Sequence, residues 1–369
     1  MGEPIFKLKN TVAWYGVEVF SSNYELYGEM SARMMDVLSD FTPEVENYSI
    51  DEAFMRLESE RNFSFTDLGR EIRERVKKHI GIPVSVGIAE TKTLAKIANF
   101  HAKRSAKAQG VLDLTKSPHQ PIALERTPVE EVWGVGPRYG ELLRAHGIYN
   151  ALDLRNADDN FIRHQMTVVG LRTVHELRGI NCIPLELCPP SKKSITVSRS
   201  FGDGVESWEE MRAALAYYVS RAGEKLRKQK LAPGAITVFI STSRFIDALE
   251  QYSNAATLKV APASDNTFEL MQLAQKCLAG IYCDGYTYRK AGVTLTNLSP
   301  ADTLSGRLWG NEQHERMRKL NEVVDSINRK LGKDTVKFGL FESQGLWQTR
   351  FSKRSPRYTT KWDELLEVR

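Results

Sequence analysis

The chain has 369 residues, 41% of them hydrophobic and 26% charged, with a formal net charge of +5. That length suits two to four domains with their own cores rather than one, and the mild basicity permits a polyanion partner without establishing one. No stretch reaches the ~18 apolar residues of a membrane span, and Met1-Gly2-Glu3-Pro4 carries no charged-then-apolar signal pattern, so the expectation is a cytoplasmic protein with no membrane role.

In chain order, Val17 to Phe20 reads as a strand. Ser22 or Asn23 caps a helix with Leu26, Met30, Met34, Val37 and Leu38 at helical spacing. Val45 to Leu57 is extended and interrupted by a polar turn. Ser64 or Thr66 opens a helix with Leu68, Ile72, Val76 and Ile80 on one face, and Gly81 ends it. Pro83 to Ile88 is a buried strand, and Thr91 caps a helix to about Lys103. This pattern predicts an α+β domain with helices over one sheet. From Pro121 to about Gly179 the pattern becomes short helices with glycine-rich joints, and Asn181 to Ser194 is a linker. Strands at Ser194–Ser200, Ala235–Ser241, Ala255–Val260 and Lys290–Asn297 then alternate with helices at Trp208–Gln229 and Thr267–Tyr282, a βαββαβ domain. A helix from Asn311 to Leu331 and a basic tail follow. The four cysteines, Cys182, Cys188, Cys277 and Cys283, lack zinc or CxxC spacing and read as reduced thiols.

The sharpest chemical feature is Tyr48-Ser49-Ile50-Asp51-Glu52-Ala53-Phe54. Side chains alternate across a strand, so Asp51 and Glu52 reach one site only if the backbone turns there. Adjacent carboxylates repel unless a cation neutralises them, and Mg²⁺ takes such oxygen ligands. By itself the pair also reads as an exposed acidic turn. Trp133-Gly134-Val135-Gly136-Pro137 places a Gly-x-Gly turn between short helices, where backbone N–H groups favour an anion; alone, such a turn is equally a tight connection. Lys192, Lys193, Arg199, Arg221, Lys225, Arg227, Lys228 and Lys230 gather positive charge on the first strand and helix of the βαββαβ domain. Singly these read as solvated, and collectively they read as a salt-dependent grip on DNA.

The segment from Tyr48 to Phe54 resembles the second catalytic motif of the Y-family DNA polymerases. Ser85-Val86-Gly87-Ile88-Ala89-Glu90-Thr91-Lys92-Thr93-Leu94-Ala95-Lys96-Ile97-Ala98-Asn99, with Ala102-Lys103, resembles that family's palm strand and following helix. Phe20-Ser21-Ser22-Asn23-Tyr24-Glu25-Leu26-Tyr27 and Ser355-Pro356-Arg357-Tyr358-Thr359-Thr360-Lys361 resemble the UmuC branch. The resemblance implies a multidomain α+β architecture: the end of the fingers over 1–22, a partial palm over 23–117, a helical thumb with a helix-hairpin-helix over 118–185, a little finger over 186–300 and a partner-binding region over 301–369.

It also implies error-prone translesion synthesis in the SOS response, by two-metal nucleotidyl transfer with two Mg²⁺ ions. Asp51 and Glu52 would be the catalytic metal ligands, and Lys103 would contact the incoming triphosphate. Gly134, Val135, Gly136, Arg199 and Ser200 would bind DNA, and Leu308 and Trp309 offer a degenerate sliding-clamp peptide. Implied partners are a damaged primer–template, deoxynucleoside triphosphates, a cleaved UmuD-type dimer, a RecA filament and the clamp. The family's first catalytic aspartate and most of its fingers have no counterpart here; roughly one supersecondary unit, on the order of 50 residues, is expected ahead of Met1. The expectation is therefore impaired activity in the chain as written, with a non-catalytic DNA- or clamp-binding remnant as the alternative.

Overall fold

The computed structural model describes residues 3–58, 64–245, 250–301, 311–332, 334–337 and 353–367. The chain divides into two compact units, Met1–Pro189 with Lys353–Arg369, and Pro190–Ser352.

In the first unit, a short helix α1 (Lys9–Tyr15) precedes α2 (Tyr24–Ser39). The side chain of Asn23 caps α2 by accepting from the Leu26 N–H at 3.4 Å. Met34, Met35 and Leu38 of α2 are buried against Ile72 and Val76 of α3 (Phe65–Ile80). That helix starts at a Ser64 cap and stops at Gly81, whose φ of +81° suits a residue without Cβ. Between the two helices, β1 (Val45–Asn47) and β2 (Ala53–Met55) form an antiparallel hairpin.

A parallel pair, β3 (Val86–Ile88) and β4 (Val111–Asp113), is joined through α4 (Lys92–Arg104). A parallel pairing needs such a crossover. A Cβ at Gly87 would overlap the backbone of Ala95 and Asn99, so α4 lies on β3 as closely as a glycine permits. Helices α5 (Gln120–Glu125), α6 (Pro137–Ala145), α7 (Ala151–Asn156) and α8 (Asp159–Leu177) follow. Their core residues Leu124, Leu143, Leu154, Ile162 and Leu177 cluster with Leu94 and Ile97 of α4.

Two departures from the sequence pattern appear here. Among the described residues Val17 to Phe20 joins no ladder, and the nearest pairing is a single bridge from Ser21 to Arg354. The strands of this unit also form two separate two-stranded sheets rather than one. Alternating β-branched residues give a segment extended propensity, but a strand exists only where a partner edge meets it.

Two buried carboxylates fasten the end of the helical region to α4. Glu46 forms an ion pair with Lys92 and accepts the Glu186 N–H at 2.8 Å, while Lys92 Nζ donates to the Pro184 carbonyl at 2.9 Å. Glu176, fully buried, accepts from the N–H groups of Thr93, Cys182 and Ile183 at 3.1, 2.8 and 3.1 Å. The Thr93 amide lies in the first turn of α4, where a carboxylate satisfies an otherwise unpaired donor.

The carboxy-terminal residues 353–367 return to the start of α2. Asn23 Nδ2 donates to the Ser355 carbonyl at 2.9 Å, with the Ser355 hydroxyl at 3.1 Å and the Pro356 carbonyl at 3.3 Å also within reach. Arg357 pairs with Glu25 at 2.8 Å and with Glu364. Hydrogen bonding from Arg357 pulls the Glu364 carboxyl down to about 2 from its ordinary 4.5. The contribution of that pair, which lies within the tail, to the tail's own fold is therefore complete above about 4.5 and is lost as pH falls towards 2. Asn23→Asp keeps the helix cap, because aspartate caps as well as asparagine, but sets an oxygen against the Ser355 and Pro356 carbonyls. We expect hydrogen exchange at the Arg357, Lys361 and Glu364 amides to accelerate by about tenfold or more, the scale of one or two lost hydrogen bonds. Unchanged exchange would mean that Asn23 does not hold the tail.

The second unit runs β5 (Ser194–Val205), α9 (Trp208–Lys228), β6 (Leu231–Ser241), β7 (Ser253–Lys259), α10 (Thr267–Ala279) and β8 (Tyr288–Pro300). Its four strands lie in the order β5-β8-β6-β7, all antiparallel. One face packs Ile195, Ile236, Val238, Val293 and Leu295 with Met211, Leu215 and Leu226 of α9 and Leu270 and Leu278 of α10. Helix α11 (Asn311–Leu331) joins this unit through Asp325, which Arg227 of α9 grips with two hydrogen bonds of 2.6 and 2.9 Å.

Candidate active site and nucleic-acid interface

The backbone turns where two adjacent carboxylates need it to turn. Both the Tyr48 and Ser49 N–H groups donate to the Glu52 carbonyl, at 3.1 and 3.0 Å, closing the β1–β2 hairpin around Asp51. Asp51 is exposed, and its Oδ1 accepts from the Ser49 hydroxyl at 2.7 Å. Glu52 is half-buried and meets Lys96 Nζ at 2.7 Å. Lys96 thus balances one of two neighbouring negative charges, a partner that the sequence alone left open.

The same lysine lies over the Tyr48 ring at 4.5 Å and the Phe54 ring at 5.6 Å, favourable cation–aromatic geometry. Lys103, exposed in the last turn of α4, follows Lys96 by two helical turns on one face, about 10 Å further along the axis. One helix face therefore presents a cation at the carboxylate hairpin and a second, unburied one beyond it.

Asp51 and Glu52 are hard oxygen donors of the kind a divalent cation takes. Among the described residues there is no group of three or more His, Cys, Asp or Glu side chains placed to hold a metal. Two carboxylates supply only part of the coordination of a divalent ion, the remainder being water or substrate oxygens. Bridging two ions needs further acidic oxygens than these two supply.

The Gly-x-Gly turn lies between a short 3-10 turn, Val129–Glu131, and α6. Gly134 and Gly136 are exposed, and Gly134 holds φ at +89°, where a side chain is strained. Val135 is buried and its N–H returns to the Val132 carbonyl at 2.9 Å, anchoring the turn from beneath. Trp133, just before it, donates its indole N–H to the Tyr48 hydroxyl at 2.9 Å. Sequence reasoning placed neither Trp133 nor Tyr48 in the site; the available signal was an aromatic residue at the edge of each motif.

In the second unit, strand alternation gives the face opposite the helices a ladder of small hydroxyl side chains. Thr196, Thr294, Thr237 and Thr257 form one cross-strand row, with hydroxyl contacts of 3.0 Å for Thr196–Thr294 and 2.8 Å for Thr237–Thr257. Ser200, Lys290, Ser241 and Ser253 form another. Ser200 belongs to this open face. Arg199, on the edge strand β5, has the opposite parity, in line with buried Val197 and Ile195, but is itself exposed. Arg221 pairs with Glu224 and Asp334, and Arg227 with Asp325, so these two cations of the sequence-level basic cluster are committed to internal partners. Leu308 and Trp309 lie outside the described residues. Among the described residues, no helix is long and apolar enough to cross a membrane.

Comparison with known proteins extends over the whole chain. Residues 1–99 match the impB/mucB/samB family, 192–308 match the impB/mucB/samB family C-terminal domain, and 318–368 match a domain of unknown function. Protein UmuC of Salmonella typhimurium is 44% identical over 374 residues, covering 100% of this chain and 88% of that protein. Protein MucB of Escherichia coli is 39% identical, covering 98% of this chain and 86% of its own. A DNA polymerase IV, from Desulfatibacillum aliphaticivorans, is 28% identical over 84% of this chain and 76% of its own. Among solved structures, a Y-family DNA polymerase chimera of Dbh and Dpo4 superposes with a TM-score of 0.56 at 21% identity, covering 74% of this chain and 77% of that one. That likeness is one of fold.

Proposed function

From the premise that the chain belongs to the UmuC, SamB and MucB family of Y-family DNA polymerases, error-prone translesion enzymes of the SOS response, we propose that Asp51 and Glu52 are its catalytic carboxylates. The observation that carries this reading is the hairpin turn that closes on the Glu52 carbonyl and sets both acids at one end of β1–β2, beside Lys96.

The reaction is transfer of a deoxynucleotide to a primer 3′-hydroxyl, in which positioning and charge neutralisation do most of the catalysis. Divalent metal ions serve this chemistry by neutralising charge on the attacking and leaving oxygens, and we take Mg²⁺ as the natural ion, two in the complete active site. Asp51 and Glu52 supply oxygen ligands. Lys96 fixes the Glu52 side chain and limits repulsion between the acids. Lys103 offers a point charge to the triphosphate of the incoming nucleotide.

Gly134 and Gly136 grip a DNA phosphate through exposed backbone at the start of α6, with Val135 anchoring the turn between them, which holds register without reading sequence. In the second unit, Ser200 and Lys290 meet DNA from the open face, and Arg199 reaches a phosphate around the edge strand. Damaged primer–template is the substrate we assign, in the cytoplasm. A cleaved UmuD-type dimer, a RecA filament and a sliding clamp held by Leu308 and Trp309 are the protein partners that family membership brings forward.

Lys103→Ala tests the nucleotide-side assignment. In primer extension by the protein expressed from its own gene, we expect the KM for deoxynucleoside triphosphate to rise by about tenfold, the scale of one charge-assisted hydrogen bond, with primer–template affinity unchanged. An unchanged KM would remove Lys103 from the site.

A further inference from the structure

We propose that Trp133 is a positioning residue that couples the DNA-gripping Gly-x-Gly turn to the catalytic hairpin. The proposal rests on the polymerase reading above and identifies a role for a residue that neither the motif nor the metal chemistry requires.

Trp133 is bonded through the backbone to Gly134, the first residue of the phosphate-gripping turn. Its side chain reaches the other element. The indole N–H donates to the Tyr48 hydroxyl at 2.9 Å, and its ring packs edge-on against Tyr48 and tilted, at 44°, against Phe54, both at 5.6 Å. Tyr48 and Phe54 flank the turn that carries Asp51 and Glu52, and they contact each other at 5.4 Å. Lys96 then lies over both of those rings while holding Glu52. An unbroken set of contacts therefore runs from Gly134 through Trp133, Tyr48 and Lys96 to the Glu52 carboxylate.

Two features set this apart from ordinary core packing. Trp133 is only half-buried and Tyr48 is 41% exposed, so their contact lies at the protein surface rather than within a core. The specific element is a directed hydrogen bond between residues 85 apart, made where a plain aromatic contact would suffice to exclude water. Buried area stabilises without fixing direction, whereas one N–H···O bond between two rings fixes their relative angle. The rings here meet at 85°. The turn that takes the DNA phosphate is therefore held in register with the carboxylates. A misplacement of about 1 Å at reacting groups costs on the order of a hundredfold in rate, so such a register matters more to turnover than to folding.

The test is a double-mutant cycle on Trp133→Phe and Tyr48→Phe, each of which keeps an aromatic ring and deletes one side of the hydrogen bond. Turnover in primer extension should fall by about three- to tenfold in each single variant, the scale of one neutral hydrogen bond. Primer–template affinity and thermal midpoint should stay near those of the parent. The double variant should be no slower than either single one, because both delete the same bond. Mn²⁺ affinity, read by electron paramagnetic resonance with the signal of DNA alone subtracted, gives a second measure. In the parent, primer–template should tighten Mn²⁺ binding, and both single variants should reduce that tightening, since coupling between two sites is a property of the contacts joining them.

Independent, multiplying losses in the cycle would overturn the proposal, as would loss of thermal stability with turnover unchanged, or full DNA-linked Mn²⁺ tightening in both variants. Failure of the underlying polymerase reading looks different. Asp51→Ala would then leave extension and Mn²⁺ affinity as they are, whatever the Trp133 variants do.

Discussion

Replacing Lys92 with methionine should destabilise the first unit by about 3–5 kcal/mol, the cost of leaving one member of a buried ion pair without its partner. Both side chains are 8% exposed. Methionine preserves most of the aliphatic stem but leaves the Glu46 carboxylate with the Glu186 N–H and strips the Pro184 carbonyl of its donor. Hydrogen exchange at the Leu94, Ile97 and Ala98 amides of α4, all within the core, reports the loss directly. Replacing both partners, in Glu46→Leu with Lys92→Met, should recover part of it, because an apolar pair removes the stranded charge. A loss below about 1 kcal/mol in the single variant would show the pair to be solvated rather than buried. The consequence extends to function, since the same pair fastens residues 184–186, just before the chain enters the second unit at Pro190.

Replacing Asp51 with alanine should leave primer extension at least about a thousandfold slower, or about 4 kcal/mol of transition-state stabilisation, with primer–template affinity within about threefold of the parent. Phosphoryl transfer offers the protein little covalent chemistry, so each ligand that localises positive charge at the reacting oxygens carries a large share of the rate. Asp51 is exposed, and the side-chain hydrogen bond that alanine would remove is the one it accepts from the Ser49 hydroxyl, so its removal should cost little stability. Loss of rate with an unchanged melting point would separate catalysis from folding. Loss of both would make Asp51 a structural turn residue.

The hairpin, the helix caps and the βαββαβ unit were legible because each is a local pattern. Asn23, Ser64 and Thr91 cap the helices that their positions predicted, and the second unit runs in the strand and helix order that its pattern predicted. What the sequence hid is long-range pairing. The segments around Asn23 and Ser355 each mark the UmuC branch, yet nothing local says that they bind one another across 332 positions. Val17 to Phe20 has the composition of a strand but, among the described residues, no ladder to join.

Arg199 and Ser200 are adjacent in a motif read as one DNA contact, and the two-residue period of the strand sends them to opposite sides. Arg221 and Arg227 counted towards a basic surface until acidic partners from the α11 region, Asp334 and Asp325, were seen to engage them. Charge tallies cannot show such commitments, because the partners lie about a hundred residues downstream.

The most direct measurement is primer extension by the protein expressed from its own gene on a defined primer–template. Each deoxynucleoside triphosphate is supplied singly with Mg²⁺, and the parent is set beside Asp51→Ala. The account predicts addition directed by the template base in the parent, and its loss in the variant while DNA remains bound. Binding of the primer–template with no extension by the parent, or extension that survives Asp51→Ala, would contradict it.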